Sequence, residues 1–160
     1  QRLNDQHDNN HIMCGFKFSS ILPRFDQPIF HNGGIFAVFS IDGKQLSKII
    51  DDIDFNYVYI SEDIHFNLEL LTKGYPNAIM EEFCYYQKYN KDGGCSAFRT
   101  QQMEDECAKK LNKKFPKYYT IDYSKPKPVN RGSMGTLRTR VLYSKSYKES
   151  IWHGHTRIKK

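Results

Sequence analysis

The sequence predicts an α/β fold, a mixed sheet flanked by helices, and three observations lead there. Apolar β-type runs alternate with helix-period segments through the middle of the chain. Cap and turn residues stand between them, with Asp42-Gly43, Ser61, Gly74 and Thr100 each placed where one pattern gives way to the next. At 160 residues, 39% hydrophobic and 26% charged, the chain has material for one domain with a real core. No stretch approaches the uninterrupted apolar length of a membrane helix, so no membrane partner is expected.

Residues 13–19 read as a short strand and 23–32 as an irregular loop. Gly33-Gly34 then leads into residues 35–40, Ile-Phe-Ala-Val-Phe-Ser, whose unbroken apolar character predicts a buried strand. After the Asp42-Gly43 turn, Leu46, Ile49, Ile50 and Ile53 mark an amphipathic helix ending near Asp54. Residues 57–60 are aromatic and β-branched and predict a strand end. Ser61 follows as an N-cap, Ile64, Leu68 and Leu71 recur at helical spacing, and Gly74 closes that helix.

A further strand is expected from residue 78 to about 86, then a glycine turn at Lys91-Asp92-Gly93-Gly94-Cys95. Thr100 caps a helix carrying Met103, Cys107 and Leu111, with Lys109, Lys110, Lys113 and Lys114 toward its C-terminus, where cations suit the dipole. Phe115-Pro116 ends it. Residues 118–123 and 137–143 read as strands, the second half-exposed, joined through the basic link Lys125-Pro126-Lys127-Pro128. The last dozen residues, with Trp152-His153-Gly154-His155, are expected to be poorly ordered, and no repeat period is visible.

Three spans follow: 1–12, the ragged edge of a fragment that lacks an initiator Met and a signal core; 13–123, the domain; and 124–160, a basic C-terminal extension. Charge divides the chain differently. Residues 1–87 hold six Lys/Arg against twelve Asp/Glu, and residues 88–160 hold eighteen against six. The basic half, with Arg131, Arg138, Arg140, Lys145, Lys148, Arg157, Lys159 and Lys160 in polar sequence, suits a phosphate backbone. Tyr85, Tyr86 and Tyr89 stand where stacking on an extruded base would be useful, although alternate tyrosines of a strand also pack on a core or rim. Cys14, Cys84, Cys95 and Cys107 are scattered singly, as thiols of a reducing compartment, cytoplasmic or nuclear, would be.

The chemistry concentrates at Ser61-Glu62-Asp63, two carboxylates opening a helix after a β-type run. Such a pair can accept a proton, hold a hydroxyl or bind a cation, or simply compensate the helix dipole. Gly33 and Gly34 would let a backbone approach a sugar or base closely, or would only turn the chain into a core strand. Gly93 and Gly94 face the same choice. Arg99, beside that glycine loop and a helix start, can hold a phosphate, with Lys88 and Lys91 assisting.

In order and spacing, these pieces resemble the C-terminal, acceptor-side half of a GT-A glycosyltransferase, and most closely the TET/JBP-associated glycosyltransferases. The resemblance rests on Gly33-Gly34 before residues 35–39, Ser61-Glu62-Asp63-Ile64-His65-Phe66 with Gly74, and Gly93-Gly94-Cys95-Ser96-Ala97-Phe98-Arg99 followed by Glu104, Cys107, Leu111 and Phe115-Pro116. It covers roughly residues 30 to 120. It implies transfer of a sugar from a nucleotide sugar to hydroxymethylated pyrimidine in DNA, with Asp63 as base and Glu62 orienting the acceptor. It also implies substrate contacts at Gly33, Gly34, Gly93, Gly94, Arg99 and Lys88, and a divalent metal, Mn²⁺ or Mg²⁺.

The metal ligands are not legible: Asp5-Gln6-His7-Asp8 is only an approximation to the family's Asp-x-Asp, and His153 and His155 are as easily a tail. On the resemblance, the nucleotide-sugar half is expected to be largely missing. Two other classes stay open. Asp42-Gly43-Lys44 with Asp26 would suit a metal-dependent nuclease, and a basic module without catalysis would use Glu62 and Asp63 only as helix-start residues.

Overall fold

The computed structural model describes residues 5–6, 11–18, 28–86, 98–125 and 135–152. A four-stranded mixed sheet has the order β2-β4-β1-β3, formed by β1 (Met13–Phe18), β2 (Ile29–His31), β3 (Phe39–Ile41) and β4 (Asn77–Tyr85). β1 runs parallel to β4, while β3 and β2 close the two edges antiparallel. The α/β class with a mixed sheet flanked by helices is as the sequence predicts. The β1–β4 ladder slips between Phe16 and Lys17, so Phe16 faces Met80 but Lys17 faces Cys84. Such an irregularity bends the strands and re-aims the side chains beyond it.

Helix α1 (Gly43–Leu46) is only four residues long, with a 3₁₀ turn at Ile50–Asp52, so the longer helix expected there is broken in two. Helix α2 (Glu62–Thr72) carries the carboxylate pair at its start. Its sequence reads as amphipathic, yet residues 65–71 are all buried. Phe66 and Leu70 pack with Ile12, Ile35 and Ile79 on the sheet side, whereas Leu68 packs with Cys107, Leu111 and Phe115 of the next helix. α2 is thus the partition between two cores, and burial on both sides replaces the single apolar stripe. Gly74, at φ 85°, ends it as expected, with Tyr75 N–H donating back to the Leu70 carbonyl at 2.9 Å.

Helix α3 (Gln101–Lys114) begins where predicted, because the Thr100 hydroxyl accepts from Met103 N–H at 3.2 Å. Strands β5 (Tyr119–Asp122) and β6 (Arg138–Val141) pair antiparallel, and α4 (Tyr143–Trp152) packs against α2. Acids of α3 set where β6 begins: Glu104 accepts from Gly135 N–H at 2.7 Å and Asp105 from Thr136 N–H at 2.8 Å. Residues 149–152, expected to be disordered, continue α4, and the Glu149 carboxylate accepts from the Tyr118 hydroxyl at 2.9 Å. Residues 153–160 lie outside the described residues.

Two predicted strands are absent. Residues 57–60 form bends that bury Val58 and Ile60 without pairing. Residues 33–38 leave the sheet, and only Phe39–Ile41 joins β1. The backbone groups of Gly33, Ile35 and Phe36 are satisfied instead by distant side chains. Asn77 accepts from Gly33 N–H at 3.0 Å and donates to Gly33 O at 2.8 Å; Asn67 donates to Ile35 O at 2.8 Å; the Tyr85 hydroxyl donates to Phe36 O at 2.6 Å. A ladder is unnecessary once buried amides take its place.

Candidate active site

The helix start and the glycine loop, some thirty residues apart in sequence, are held together by that amide chain. Asn67, one turn into α2, donates to both Asp63 O and Ile35 O at 2.8 Å, and Asn77 donates to Asn67 Oδ1 at 2.7 Å while gripping Gly33. Both amides are fully buried. Neither was singled out from sequence, although an asparagine between Phe66 and Leu68 on a helix is a signal: such a residue is a poor helix former unless its amide has work elsewhere.

Adjacent helical residues point about 100° apart, and this separates the two carboxylates. Glu62 is exposed, whereas Asp63 turns inward. Burial pushes the Asp63 carboxyl above the usual aspartate range; Ile64 N–H, donating to it at 2.7 Å, opposes this, the Glu62 charge adds to it, and the Arg99 guanidinium opposes it. Desolvation therefore outweighs the stabilisation expected from the helix end, and the result is a more basic carboxylate. The charge of Asp63 also helps raise the Tyr85 and Tyr143 hydroxyls, after burial.

Near this carboxylate, Arg99 Nε and the Tyr143 hydroxyl are buried with no hydrogen-bond partner among the described residues, as is Asn32 Oδ1 at the start of the glycine loop. The backbone is strained at Ser61, just before the helix, and at Asn32 and Ala37, on either side of the glycine loop, with φ 61°, 59° and 53°. Non-glycine residues rarely adopt that region, and strain of this kind collects at functional sites. Ser61 occupies the N-cap position in this conformation, so its hydroxyl makes no cap hydrogen bond. The capping bond the sequence leads one to expect is replaced by Asp63 accepting from its neighbour.

Gly33 and Gly34 line a cleft of about 480 Å³ beside the site, together with Phe18, Phe30, Phe36 and Tyr143. Both glycines are needed for space. A Cβ on Gly34 would lie 2.6 Å from the rings of Phe36 and Tyr143, and one on Gly33 would lie 2.7 Å from Ile79 and Phe30. Gly93, Gly94 and Lys88 lie outside the described residues, as do Lys91, Tyr89, Asp26, His153 and His155. Asp42 caps α1, accepting from Lys44 N–H at 2.9 Å and Gln45 N–H at 3.1 Å, so its carboxylate is engaged in the turn and not arranged as a nuclease ligand. Among the described residues no group of three His, Cys, Asp or Glu is placed to hold a metal ion.

His65 belongs elsewhere. It is buried, 3.4 Å from Glu69 Oε1 and 3.1 Å from Lys114 Nζ, and stacks on Tyr57. Lys114 pairs with Glu69 and lies over the Tyr57 ring. Cys84 and Cys107 are free thiols, and burial pushes Cys14 up to about 12, which leaves it unreactive. No helix among the described residues is long and apolar enough to cross a membrane.

Over 107 residues the chain is 23% identical to the β-glucosyl-HMC-α-glucosyl-transferase of Enterobacteria phage T2, and equally to the protein of that name from Enterobacteria phage T6. The match covers 64% of this chain and 38% of each relative, so the chain spans well under half the length of these curated proteins. No family model matches the chain, and no solved structure does.

Proposed function

We propose that this chain is part of a glycosyltransferase that moves a sugar from a nucleotide-sugar donor onto hydroxymethylated pyrimidine in DNA. The observation that carries this reading is the similarity to two phage transferases whose names specify glucosyl transfer onto a glucosylated HMC acceptor. The narrower assignment, to the TET/JBP-associated transferases, is supported by the ordered motifs at Gly33-Gly34, Ser61-Glu62-Asp63 and the α3 start. The buried, inward-facing Asp63 gives the reading a chemical centre. In the transfer step the acceptor oxygen bonds to the anomeric carbon, the bond to the nucleotide diphosphate breaks, and the acceptor proton passes to the Asp63 carboxylate. A carboxylate with a raised pKa serves that step better than an ordinary aspartate. Arg99, whose Nε has no partner among the described residues, is the cation available to oxygen atoms developing charge beside Asp63. Glu62, exposed on the outer side, is assigned a role in orienting the acceptor. Donor diphosphate contacts from Gly93, Gly94 and Lys88 are further proposals of the same reading, and no step is routed through a metal.

The test is transfer of radiolabelled sugar from nucleotide-sugar donors, with Mn²⁺ or Mg²⁺, into DNA containing hydroxymethylated or glucosylated hydroxymethylated pyrimidines. The chain is assayed alone and within its natural protein. Label entering the DNA and lost with Asp63→Asn is the expected result. Salt-sensitive DNA binding without transfer, equal in both forms, would favour a non-catalytic basic module.

A further inference from the structure

The 480 Å³ cleft beside Gly33-Gly34 falls within the range of about 300–1,000 Å³ typical of small-ligand sites. Its lining is of two kinds: aromatic rings from Phe18, Phe30, Phe36 and Tyr143, and charged groups from Lys17, Arg140 and Lys145 with the single acid Glu81. Lys17 and Glu81 neutralise each other at 3.0 Å, both nearly buried. Arg140 has no ion-pair partner among the described residues, and Lys145 is half-exposed, with Glu149 3.6 Å away. The cleft therefore presents surplus positive charge beside flat apolar rings.

The first turn of α4 opens onto the same space. Leu142, Tyr143, Ser144 and Lys145 all line the cleft, and the first α4 amide with a helical partner is that of Ser146, which donates to Leu142 O at 3.0 Å. The amides before it have the orientation that favours an anion. The helix start is fixed against the glycine loop, since the Ser144 hydroxyl donates to Asn32 O at 3.0 Å. The buried Tyr143 hydroxyl is also without a partner among the described residues.

The geometry points to this cleft as the seat of one extruded nucleotide of a DNA strand, with the base against Phe18, Phe30 and Phe36 and its phosphate on Arg140, Lys145 and the α4 start. The assignment rests on the transferase reading and names where its acceptor sits. A DNA strand is favoured over a free nucleotide because the charge does not stop at the cleft. Arg138 shares the β6 face of Arg140, and Lys148 follows Lys145 at i+3 on α4, so on each element the positive charge continues past the residues that line the cleft. A strand running along these cations would bring one base to the aromatic rings, and stacking there needs no particular sequence.

The full chain, wild type and Arg140→Gln/Lys145→Gln, is titrated with a fluorescent single-stranded pyrimidine oligonucleotide over a range of salt, and separately with free UDP. Both substituted residues are exposed, so folding should survive, and circular dichroism checks it. Expected is about tenfold weaker oligonucleotide binding and a log–log salt slope shallower by about 1.4, the value for two lost phosphate contacts on a single strand. UDP binding should be unchanged. Phe36→Ala should weaken oligonucleotide binding by about tenfold without altering the slope. An unchanged oligonucleotide affinity in the double variant, or an equal loss for free UDP, overturns the assignment. The two readings fail separately. Transfer that depends on Asp63 while the double variant binds DNA normally removes the cleft assignment alone, and weakened DNA binding in a protein that never transfers sugar retains the cleft and removes the transferase.

Discussion

Two carboxylates on α2, Asp63 and Glu69, are both turned inward and lie less than two turns apart, yet their surroundings differ in kind. Asp63 is held above the usual aspartate range by burial, with a strained backbone before it and unpartnered polar atoms near it. Glu69 is buried too, which alone would raise it, but His65, Lys114 and Lys73 overcome that cost and hold it down to about 2. One acid is fully compensated by its neighbours and the other is not. A compensated buried charge ties α2 to α3. A less compensated one keeps a raised pKa and costs stability when ionised, and such groups collect at functional sites, which is why Asp63 and not Glu69 reads as reactive.

The contrast can be broken most sharply by neutralising each acid. Asp63→Asn should cut sugar transfer by about 10²–10⁴-fold, as loss of a general base does, while leaving the melting temperature equal or higher, since an acid with a raised pKa costs stability when ionised. Glu69→Gln should do the opposite. It leaves Lys114 and His65 without their carboxylate and should cost about 3 kcal/mol, or about 6–12 °C in Tm for a chain of this size. Transfer per folded molecule should be nearly unchanged.

Asn77→Ala should come next, at about 2–3 kcal/mol, because it orphans the buried backbone of Gly33 and the Asn67 amide. Transfer should fall along with stability, since the amide chain positions the glycine loop against the α2 start, and thermal melts alongside transfer rates would show this. Smaller effects come with pH. The folded pKa of Glu69 lies below its unfolded value, so its stabilisation is present above about 4.5 and is lost as pH falls toward 2. The sign is reversed for Asp63, whose folded pKa is raised. Its contribution is favourable below about 3.9 and is lost as pH rises through the folded value. Transfer should therefore fall off on the acid side at a pH above that at which an ordinary aspartate titrates, as a pH–rate profile would show.

What the sequence disclosed and what it hid divide along the range of the interactions. Thr100 and Gly74 act within one helical turn, and each works as its local chemistry predicts. The excursion at residues 33–38 was hidden because its backbone partners, Asn67 and Asn77, lie 32 and 44 residues away. An apolar run looks like a strand unless the amides that replace its ladder are known. Asp63 was legible as a candidate from its place at a helix start, but its preference over Glu62 required the rotation of α2 against the sheet. Tyr143 was legible only as the end of a predicted strand; its position at the cleft depends on β6 being set by Glu104 and Asp105 and on α4 packing against α2.

The most direct measurement places Asp63→Asn and Glu69→Gln side by side, scoring each for Tm and for sugar transfer into hydroxymethylated DNA. A reactive Asp63 and a structural Glu69 predict opposite losses, with transfer gone and Tm kept in the first, and Tm lowered and transfer per folded molecule kept in the second. If Asp63→Asn instead lowers Tm as far as Glu69→Gln and leaves transfer intact, Asp63 is a structural acid like its neighbour and the site lies elsewhere.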